Sequence, residues 1–130
     1  MEDNNYKKPT VLVVEDDEMS DLLITIIIEE KGYNVLHAKS GLEAIEICKT
    51  NSDIQMILMD IKMPKMDGYE ATRQIRAFNK DVVIIMQTAY AMAGDKEKAL
   101  KAGCNEYITK PIVIELLIEL LEKHIGMAQQ

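Results

Sequence analysis

Acidic side chains end two of the apolar runs in this 130-residue chain. Glu15 ends the run that begins at Thr10, Asp16 follows it, and Asp60 ends the run Ile54–Asp60. Apolar runs of this length, bounded by turn residues, are typical of buried strands. If the two strands are neighbours in a parallel sheet, their carboxyl ends bring these carboxylates together. Because clustered carboxylates either trap protons or bind a metal, and oxygen ligands favour a hard cation, the pattern predicts a Mg²⁺ site.

Two further polar residues follow later apolar runs. Thr88 comes directly after Val82–Gln87, and Lys110 directly after Glu106–Thr109. A hydroxyl and an ammonium at the same edge could neutralise the oxygens of a phosphoryl group carried by Asp60. Lys110 could equally be a solvated surface charge, but the proline at position 111 favours a fixed direction because its ring restricts the turn. An ionised Asp60 is a competent nucleophile for in-line phosphoryl transfer, so we predict that it is chemically modified.

These residues are positioned by a regular alternation of strand and helix patterns, which occurs five times. The predicted strands are Thr10–Glu15, Asn34–Ala38, Ile54–Asp60, Val82–Gln87 and Glu106–Thr109. The predicted helices are Glu18–Lys31, Gly41–Thr50, Tyr69–Phe78, Ala93–Ala102 and Val113–Ile125. Ser40 is the expected N-cap of the second helix, and Gly32, Gly103 and Gly126 are expected to end helices. Strict alternation predicts an α/β fold in which helices cover both faces of a parallel sheet.

Length and composition narrow the class of protein. We expect one domain over residues 1–130, with a core at about 9–126 and short flexible tails. The formal net charge of −7 argues against nucleic acid, which rewards a basic patch. Apolar runs are too short to span a membrane, so we expect no membrane insertion. Cys48 and Cys104 are far apart in sequence and are interpreted as reduced thiols, which favours a cytoplasmic location over a disulfide or zinc site.

The motifs around these residues resemble the receiver domain of response regulators in two-component signalling, over essentially the whole chain. The matching stretches are Val-Val-Glu-Asp-Asp (13–17), Met-Asp-Ile-Lys-Met-Pro-Lys-Met-Asp-Gly (59–68), Thr-Ala-Tyr-Ala (88–91) and Lys-Pro-Ile (110–112). The resemblance, to a chemotaxis-regulator-like receiver, implies a flavodoxin-like, doubly wound sheet of five strands in the order 2-1-3-4-5, flanked by five helices. It also implies a phosphoacceptor module and not an enzyme acting on other molecules. The module assists only its own phosphorylation and its own slow dephosphorylation.

The resemblance also assigns roles to individual residues. It implies that Asp60 accepts a phosphoryl group from a phosphohistidine of a histidine kinase or a histidine phosphotransfer protein. Mg²⁺ would be bound directly by Asp16 and Asp60, through water by Glu15, and by the backbone carbonyl of Lys62. Thr88 and Tyr107 match a switch pair, which would change a partner-binding surface on the fourth helix, the last strand and the last helix.

Several residues allow two interpretations on the sequence alone. Asp17 is either a further metal ligand or a solvent-facing acid at the start of the first helix. Lys62 and Tyr90, each two residues past a site residue, either orient a hydrolytic water or are exposed rim residues. Tyr107 is either a buried core residue or a rotating switch.

The first and last predicted helices are apolar around more of their circumference than one sheet face covers. Either they pack on each other beside the sheet, or part of the excess forms a dock. We take Ile24, Ile28 and Ile118 as candidates for lining a dock for a helical phosphodonor.

Two other functional classes compete with the phosphoacceptor hypothesis. An aspartyl-phosphate hydrolase on a related fold would have a second aspartate two residues past the nucleophile, but that position is Lys62. A non-phosphorylated interaction module would be favoured if the acids, Thr88 or Lys110 were missing, and all are present. The stretch Gly-Asp-Lys-Glu-Lys (94–98) resembles receivers attached to hybrid histidine kinases, so a hybrid-kinase origin stands beside a free-standing one.

Overall fold

The computed structural model describes residues 8–89 and 92–126. Within them, five strands alternate with five helices, as the sequence pattern predicts. The strands are β1 (Thr10–Val14), β2 (Asn34–Ala38), β3 (Ile54–Asp60), β4 (Val83–Thr88) and β5 (Glu106–Thr109). The helices are α1 (Glu18–Glu30), α2 (Gly41–Thr50), α3 (Gly68–Arg76), α4 (Asp95–Ala102) and α5 (Ile114–His124).

All five strands are parallel and lie in the order β2-β1-β3-β4-β5, which confirms the predicted fold. The chain places β2 on one side of β1 and then β3, β4 and β5 on the other side. The direction in which strands are added to the sheet therefore reverses between β1 and β3. In doubly wound sheets, ligands bind at the carboxyl ends of the strands where this reversal occurs. Glu15 and Asp60 lie at that point, at the ends of β1 and β3.

Side-chain alternation along the strands divides the core into two layers. One layer packs α1 and α5 against one face of the sheet, with Val11, Val13, Met56, Leu58 and Ile85 from the strands. The other packs α2, α3 and α4 against the opposite face, with Leu12, Ile57, Met59, Ile84 and Met86. Both faces of the central strands are therefore covered, which explains why β1, β3 and β4 read as continuous apolar runs.

The predicted bounds of β2, β3, β5 and α2 are confirmed, and the other six elements differ from the structure by one or two residues at one end or both. Ser40 caps α2, because its hydroxyl accepts a hydrogen bond from the backbone N–H of Glu43 at 3.1 Å. Helix α4 begins at Asp95 and not at Ala93, because Gly94 has a φ of 87° and interrupts the helical backbone. The strand β4 includes Thr88, which pairs with Thr109 of β5.

Arg76, the last residue of α3, binds the loops at the amino end of the sheet, which is the end opposite Glu15 and Asp60. Its guanidinium donates hydrogen bonds to the carbonyl oxygens of Gly103 at 2.8 Å, Asn79 at 3.2 Å and Val82 at 2.7 Å. It also donates to Oδ1 of Asn105 at 2.9 Å. One half-buried side chain therefore satisfies four acceptors in the loops before β4 and β5.

Among the described residues, no helix is both long enough and apolar enough to cross a membrane.

Candidate functional site at the carboxyl edge of the sheet

The three predicted acids meet at the carboxyl edge between β1 and β3. The register pairs Val14 with Met59, so Glu15 and Asp60 are the next residues along neighbouring strands. One carboxylate oxygen from each of Glu15, Asp16 and Asp60 lies within 4.8 Å of the others. Glu15 and Asp60 are only 2% and 5% exposed, whereas Asp16 is exposed to solvent. The cluster is therefore buried on one side and open on the other.

Lys110 is directed into this cluster and is not a solvated surface charge. Its Nζ lies 2.6 Å from Oε1 of Glu15 and 3.3 Å from Oδ2 of Asp60. Burial disfavours the charged ammonium, but the hydrogen bonds and negative charges of Glu15 and Asp60 outweigh it, so the pKa of Lys110 is raised. The backbone contributes as well, because the N–H of Lys110 donates to the carbonyl oxygen of Thr88 at 2.8 Å.

Both carboxylate oxygens of Glu15 accept hydrogen bonds. Oε1 accepts from Lys110, and Oε2 accepts from the backbone N–H of Asp17 at 3.1 Å. Burial raises the pKa of Glu15, against the lowering effect of these two donors. Asp17 itself is the N-cap of α1, since its side chain accepts a hydrogen bond from the N–H of Ser20 at 2.9 Å. This capping role confirms the helix-start interpretation of Asp17.

The turn after β3 brings a backbone donor to the carboxylate of Asp60. The N–H of Lys62 lies 3.3 Å from Oδ1 of Asp60, while the Lys62 side chain is exposed, as expected of a rim residue. The turn closes at Gly68, where a Cβ would collide with the carbonyl oxygen of Asp60 and lie 2.9 Å from Cα of Ile61. Only glycine permits this approach, a constraint that sequence reasoning missed.

Thr88 is buried at the end of β4 and lines a cleft of about 510 Å³. Lys62 and Tyr69 line the same cleft, which lies between the loops after β3 and β4. The ammonium of Lys98 lies 4.6 Å from the centre of the Tyr69 ring, within the range of a cation–π contact. Tyr90, the other predicted water-orienting residue, lies outside the described residues.

The family model of the response regulator receiver domain matches residues 11–122. The chain belongs to this family. The matched span runs from β1 to the last turn of α5, so it contains the acidic cluster, Thr88 and Lys110.

Relatives and solved structures of receivers agree with this assignment. The polar-differentiation response regulator DivK of Brucella ovis is 36% identical over 121 residues, covering 92% of this chain and 98% of that protein. The receiver domain of a sensor histidine kinase from Pseudomonas aeruginosa, with a magnesium ion coordinated in its active-site cleft, is 36% identical with a TM-score of 0.84. That match covers 92% of this chain and 99% of the other. A third similar structure is the receiver domain of Ssk1 from Saccharomyces cerevisiae, in complex with the histidine phosphotransfer protein Ypd1. It is 32% identical with a TM-score of 0.84, and the match covers 92% of this chain and 90% of the other.

The donor set of this receiver fits a hard divalent cation. Three carboxylates within 4.8 Å of one another supply the oxygen ligands that Mg²⁺ prefers, and the exposed Asp16 leaves room for bound water. Both oxygens of Glu15 accept hydrogen bonds of 2.6 and 3.1 Å, whereas the two that Asp60 accepts are longer, at 3.3 Å each, so Asp60 can exchange them for a cation more readily than Glu15 can. The acidic cluster can therefore hold a metal ion.

Tyr107 of the receiver lies on the opposite face of the sheet from Lys110. Its ring packs against the core beside α3 and α4 and is partly buried. Its hydroxyl is buried and has no hydrogen-bond partner among the described residues. Burial, followed by the charge of Asp95, raises the pKa of Tyr107. A buried hydroxyl without a partner gains free energy by moving to one, which is compatible with a switch.

The structure contradicts the choice of Ile24 and Ile28 as docking residues. Both are buried between α1 and the sheet, and Ile118 is half-buried against the same core layer. The apolar residues of α1 that face solvent are Met19, Leu22, Leu23 and Ile26, with exposures from 48% to 73%. The apolar pattern covers most of α1, so sequence alone does not identify which side the sheet covers.

Proposed function

We propose that this receiver is a phosphoacceptor module in which Asp60 takes a phosphoryl group from a phosphohistidine. The observation that carries the proposal is the arrangement around Asp60, a nearly buried carboxylate with two acidic neighbours and the Lys110 ammonium 3.3 Å from its Oδ2. A carboxylate with a purely structural role would not need two further carboxylates next to it. Clusters of this kind are typical of functional sites, where the repulsion is balanced by a ligand.

The transfer forms a bond between a carboxylate oxygen of Asp60 and phosphorus. The bond from phosphorus to the imidazole nitrogen breaks, and its electron pair stays on that nitrogen. The Lys110 ammonium stabilises the charge that gathers on the phosphoryl oxygens, and the Thr88 hydroxyl donates to another of them. A Mg²⁺ ion would be held by Asp16, Asp60, the Lys62 carbonyl and, through water, Glu15, and when bound it would supply further charge neutralisation. Slow hydrolysis of the aspartyl phosphate returns the site to its resting state.

The output of the module is a change in surface on the side of Tyr107. When Thr88 moves toward the phosphoryl group, it vacates space next to β5, and the unpaired hydroxyl of Tyr107 favours a new position. The surface formed by α4, β5 and α5 then binds its downstream partner differently.

The phosphodonor is a histidine kinase or a histidine phosphotransfer protein that docks on α1. Four apolar side chains of α1 face solvent, and Val113 and Ile114 at the start of α5 are also about half exposed. These residues lie on the α1–α5 side of the sheet, close to the edge that carries Asp60. The complex of a yeast receiver with a histidine phosphotransfer protein supports a donor of this type.

Replacement of Leu22 by glutamate tests this dock. We expect a loss of about ten-fold or more in transfer from a histidine phosphotransfer protein, because a charge replaces an apolar contact. Phosphorylation by acetyl phosphate should not change. Leu42→Glu is the matched control, since Leu42 is 61% exposed on α2, on the opposite face. If the two variants lose transfer equally, α1 is not the dock.

The phosphoacceptor function itself is tested with a small donor. The purified protein is incubated with Mg²⁺ and acetyl phosphate, and its intact mass is recorded. We expect the mass of one phosphoryl group to be added, and we expect none with EDTA or in Asp60→Asn. An absence of the adduct with both a small donor and a kinase would contradict the proposal.

We further propose that residues 1–130 form a single receiver domain with its core at about 9–126, and that it acts in the cytoplasm. The cytoplasmic location is supported by Cys48 and Cys104, which are buried and form no disulfide.

A further inference from the structure

Gln87 is a completely buried side chain whose amide has no hydrogen-bond partner among the described residues. Neither Oε1 nor Nε2 is paired, so the observation does not depend on how the amide is oriented. A buried, unpaired amide costs stability, and an apolar side chain of similar shape would avoid that cost. Each such group in a folded protein therefore needs an explanation.

The position of Gln87 in the sheet connects it to the site. Gln87 on β4 is the register partner of Asp60 on β3, and its carbonyl oxygen accepts a hydrogen bond from the N–H of Ile61 at 3.0 Å. Side chains of paired residues lie on the same face of a parallel sheet, so the amide and the Asp60 carboxylate share the α1–α5 face. Gln87 is therefore a direct neighbour of the residue that we propose is phosphorylated.

The side chain of Lys110 passes next to Gln87. Lys110 follows β5, and β4 separates β5 from β3. Since its ammonium lies 3.3 Å from Oδ2 of Asp60, the lysine extends across the end of β4, and it lines the same cavity as Gln87. Strands are about 4.8 Å apart, and the crossing thus places the lysine chain within reach of the amide.

A small cavity gives the amide room to move. Gln87 and Lys110 both line a cavity of about 70 Å³ between α1 and the turn after β5. Its other lining residues are Ser20, Leu23, Ile24, Pro111 and Ile112. This cavity is partly open to solvent, because Leu23 is 55% exposed, and it provides space for about one water-sized group next to Gln87. A different rotamer of the amide can therefore occupy this space.

Lys110 in turn has an unused donor. An ammonium has three N–H groups, and in this structure two acceptors, Glu15 and Asp60, are found among the described residues. A phosphoryl group on Asp60 draws the ammonium toward its oxygens and away from Glu15. Since the Lys110 side chain is only 21% exposed, water does not fully replace the lost acceptor.

We propose that Gln87 is a positioning residue for Lys110 in the phosphorylated state. Its Oε1 accepts a hydrogen bond from the Lys110 ammonium and holds that ammonium against the phosphoryl group. A neutral acceptor performs this role without adding charge to a site that already contains three carboxylates. The inference depends on the proposed phosphorylation of Asp60.

Replacement of Gln87 by methionine tests the inference, because methionine keeps the length of the side chain and removes the amide. Thr72→Val is the matched control. Thr72 is also completely buried, and its hydroxyl has no partner in the described part of the chain, but it lies on α3, across the sheet from Lys110. The thermal midpoint and the rate of phosphorylation by acetyl phosphate with Mg²⁺ are measured for both variants.

We expect both variants to be at least as stable as the wild type, because each loses an unpaired buried polar group. Gln87→Met should be phosphorylated about ten-fold more slowly, the effect of losing one hydrogen bond to a charged group, whereas Thr72→Val should stay within about two-fold. The midpoint gained on adding Mg²⁺ and beryllofluoride, a phosphoryl analogue, should also be smaller in Gln87→Met alone.

A double variant shows whether Gln87 acts through Lys110. In a Lys110→Met background, Gln87→Met should have no further effect on the rate. An equal loss in that background, an unchanged rate in the single variant, or a Gln87→Met protein less stable than the wild type would each overturn the inference. A wild type that forms no adduct would overturn the proposed function, and this inference with it. A phosphorylated wild type with an unaffected Gln87→Met overturns the inference alone.

Discussion

Replacing Lys110 with methionine removes the ammonium that lies between Glu15 and Asp60. Glu15 is then a nearly buried carboxylate with only the Asp17 N–H as a donor among the described residues. Removing one partner of a buried ion pair costs about 3–5 kcal/mol, and we take about 3 kcal/mol because Lys110 is 21% exposed. With an unfolding entropy of about 2.1 cal/mol/K for each of the 130 residues, this loss lowers the thermal midpoint by about 11 °C.

The assay is thermal or urea denaturation at neutral pH, without metal and with excess Mg²⁺. Mg²⁺ should restore part of the loss, because a bound cation again neutralises the carboxylates. The loss should also shrink at acidic pH, where the unpaired carboxyl of Glu15 takes up a proton. Lys39→Met is the control, because the pair of Lys39 with Glu18 is exposed and its loss should cost about 0.5 kcal/mol or less. A Lys110→Met protein as stable as this control would refute the balance of charges described for the site.

Three further predictions concern other parts of the fold. The pKa of Glu106 is lowered from its ordinary value of 4.5, chiefly by its hydrogen bond from Lys123. The ionised Glu106 should therefore stabilise the folded protein fully at a pH above 4.5, and this stabilisation should be lost as the pH falls through the lowered pKa. The midpoint difference between wild type and Glu106→Gln should therefore shrink on acidification below about pH 4.5, and a constant difference would contradict this. Arg76→Met should lower the free energy of unfolding by about 3 kcal/mol in urea denaturation, because three carbonyl oxygens lose the donor and Oδ1 of Asn105 keeps only the N–H of Ile84; a loss under about 1 kcal/mol would show that water replaces the guanidinium. Gly68→Ala should cost about 2 kcal/mol and slow phosphorylation, because its Cβ displaces the Asp60 backbone, and an unaltered variant would show that the turn can relax.

The sequence is sufficient to predict the sheet and most of the acidic site. The runs that end at Glu15, at Asp60 and just before Lys110 share one edge of a parallel α/β sheet, so chain order places these three residues at that edge. The strand order implied by the family resemblance then makes the first two runs neighbours. The alternation is strict, and every connection between parallel strands contains a helix. The prediction therefore needs no information on side-chain packing.

The features that the sequence did not predict correctly are those that depend on tertiary contacts and not on the local pattern of residues. In α1, an isoleucine that faces the sheet and a leucine that faces solvent have the same hydropathy, and therefore Ile24 and Ile28 could not be distinguished from Leu22 and Leu23. The start of α4 depends on the left-handed backbone of Gly94, which the helical pattern does not encode. From the sequence, Gln87 is the polar end of a strand. Only the structure shows that its amide is buried and has no hydrogen-bond partner within residues 8–89 and 92–126.

The central claim is that Asp60 itself accepts the phosphoryl group. Treatment of the phosphorylated protein with borohydride reduces an acyl phosphate to an alcohol, which converts a phosphorylated aspartate to homoserine. Peptide mapping then identifies the modified position. We expect homoserine at position 60, dependent on Mg²⁺ during phosphorylation. Homoserine at another acidic residue, or no conversion in a protein that carries the phosphoryl mass, would contradict it.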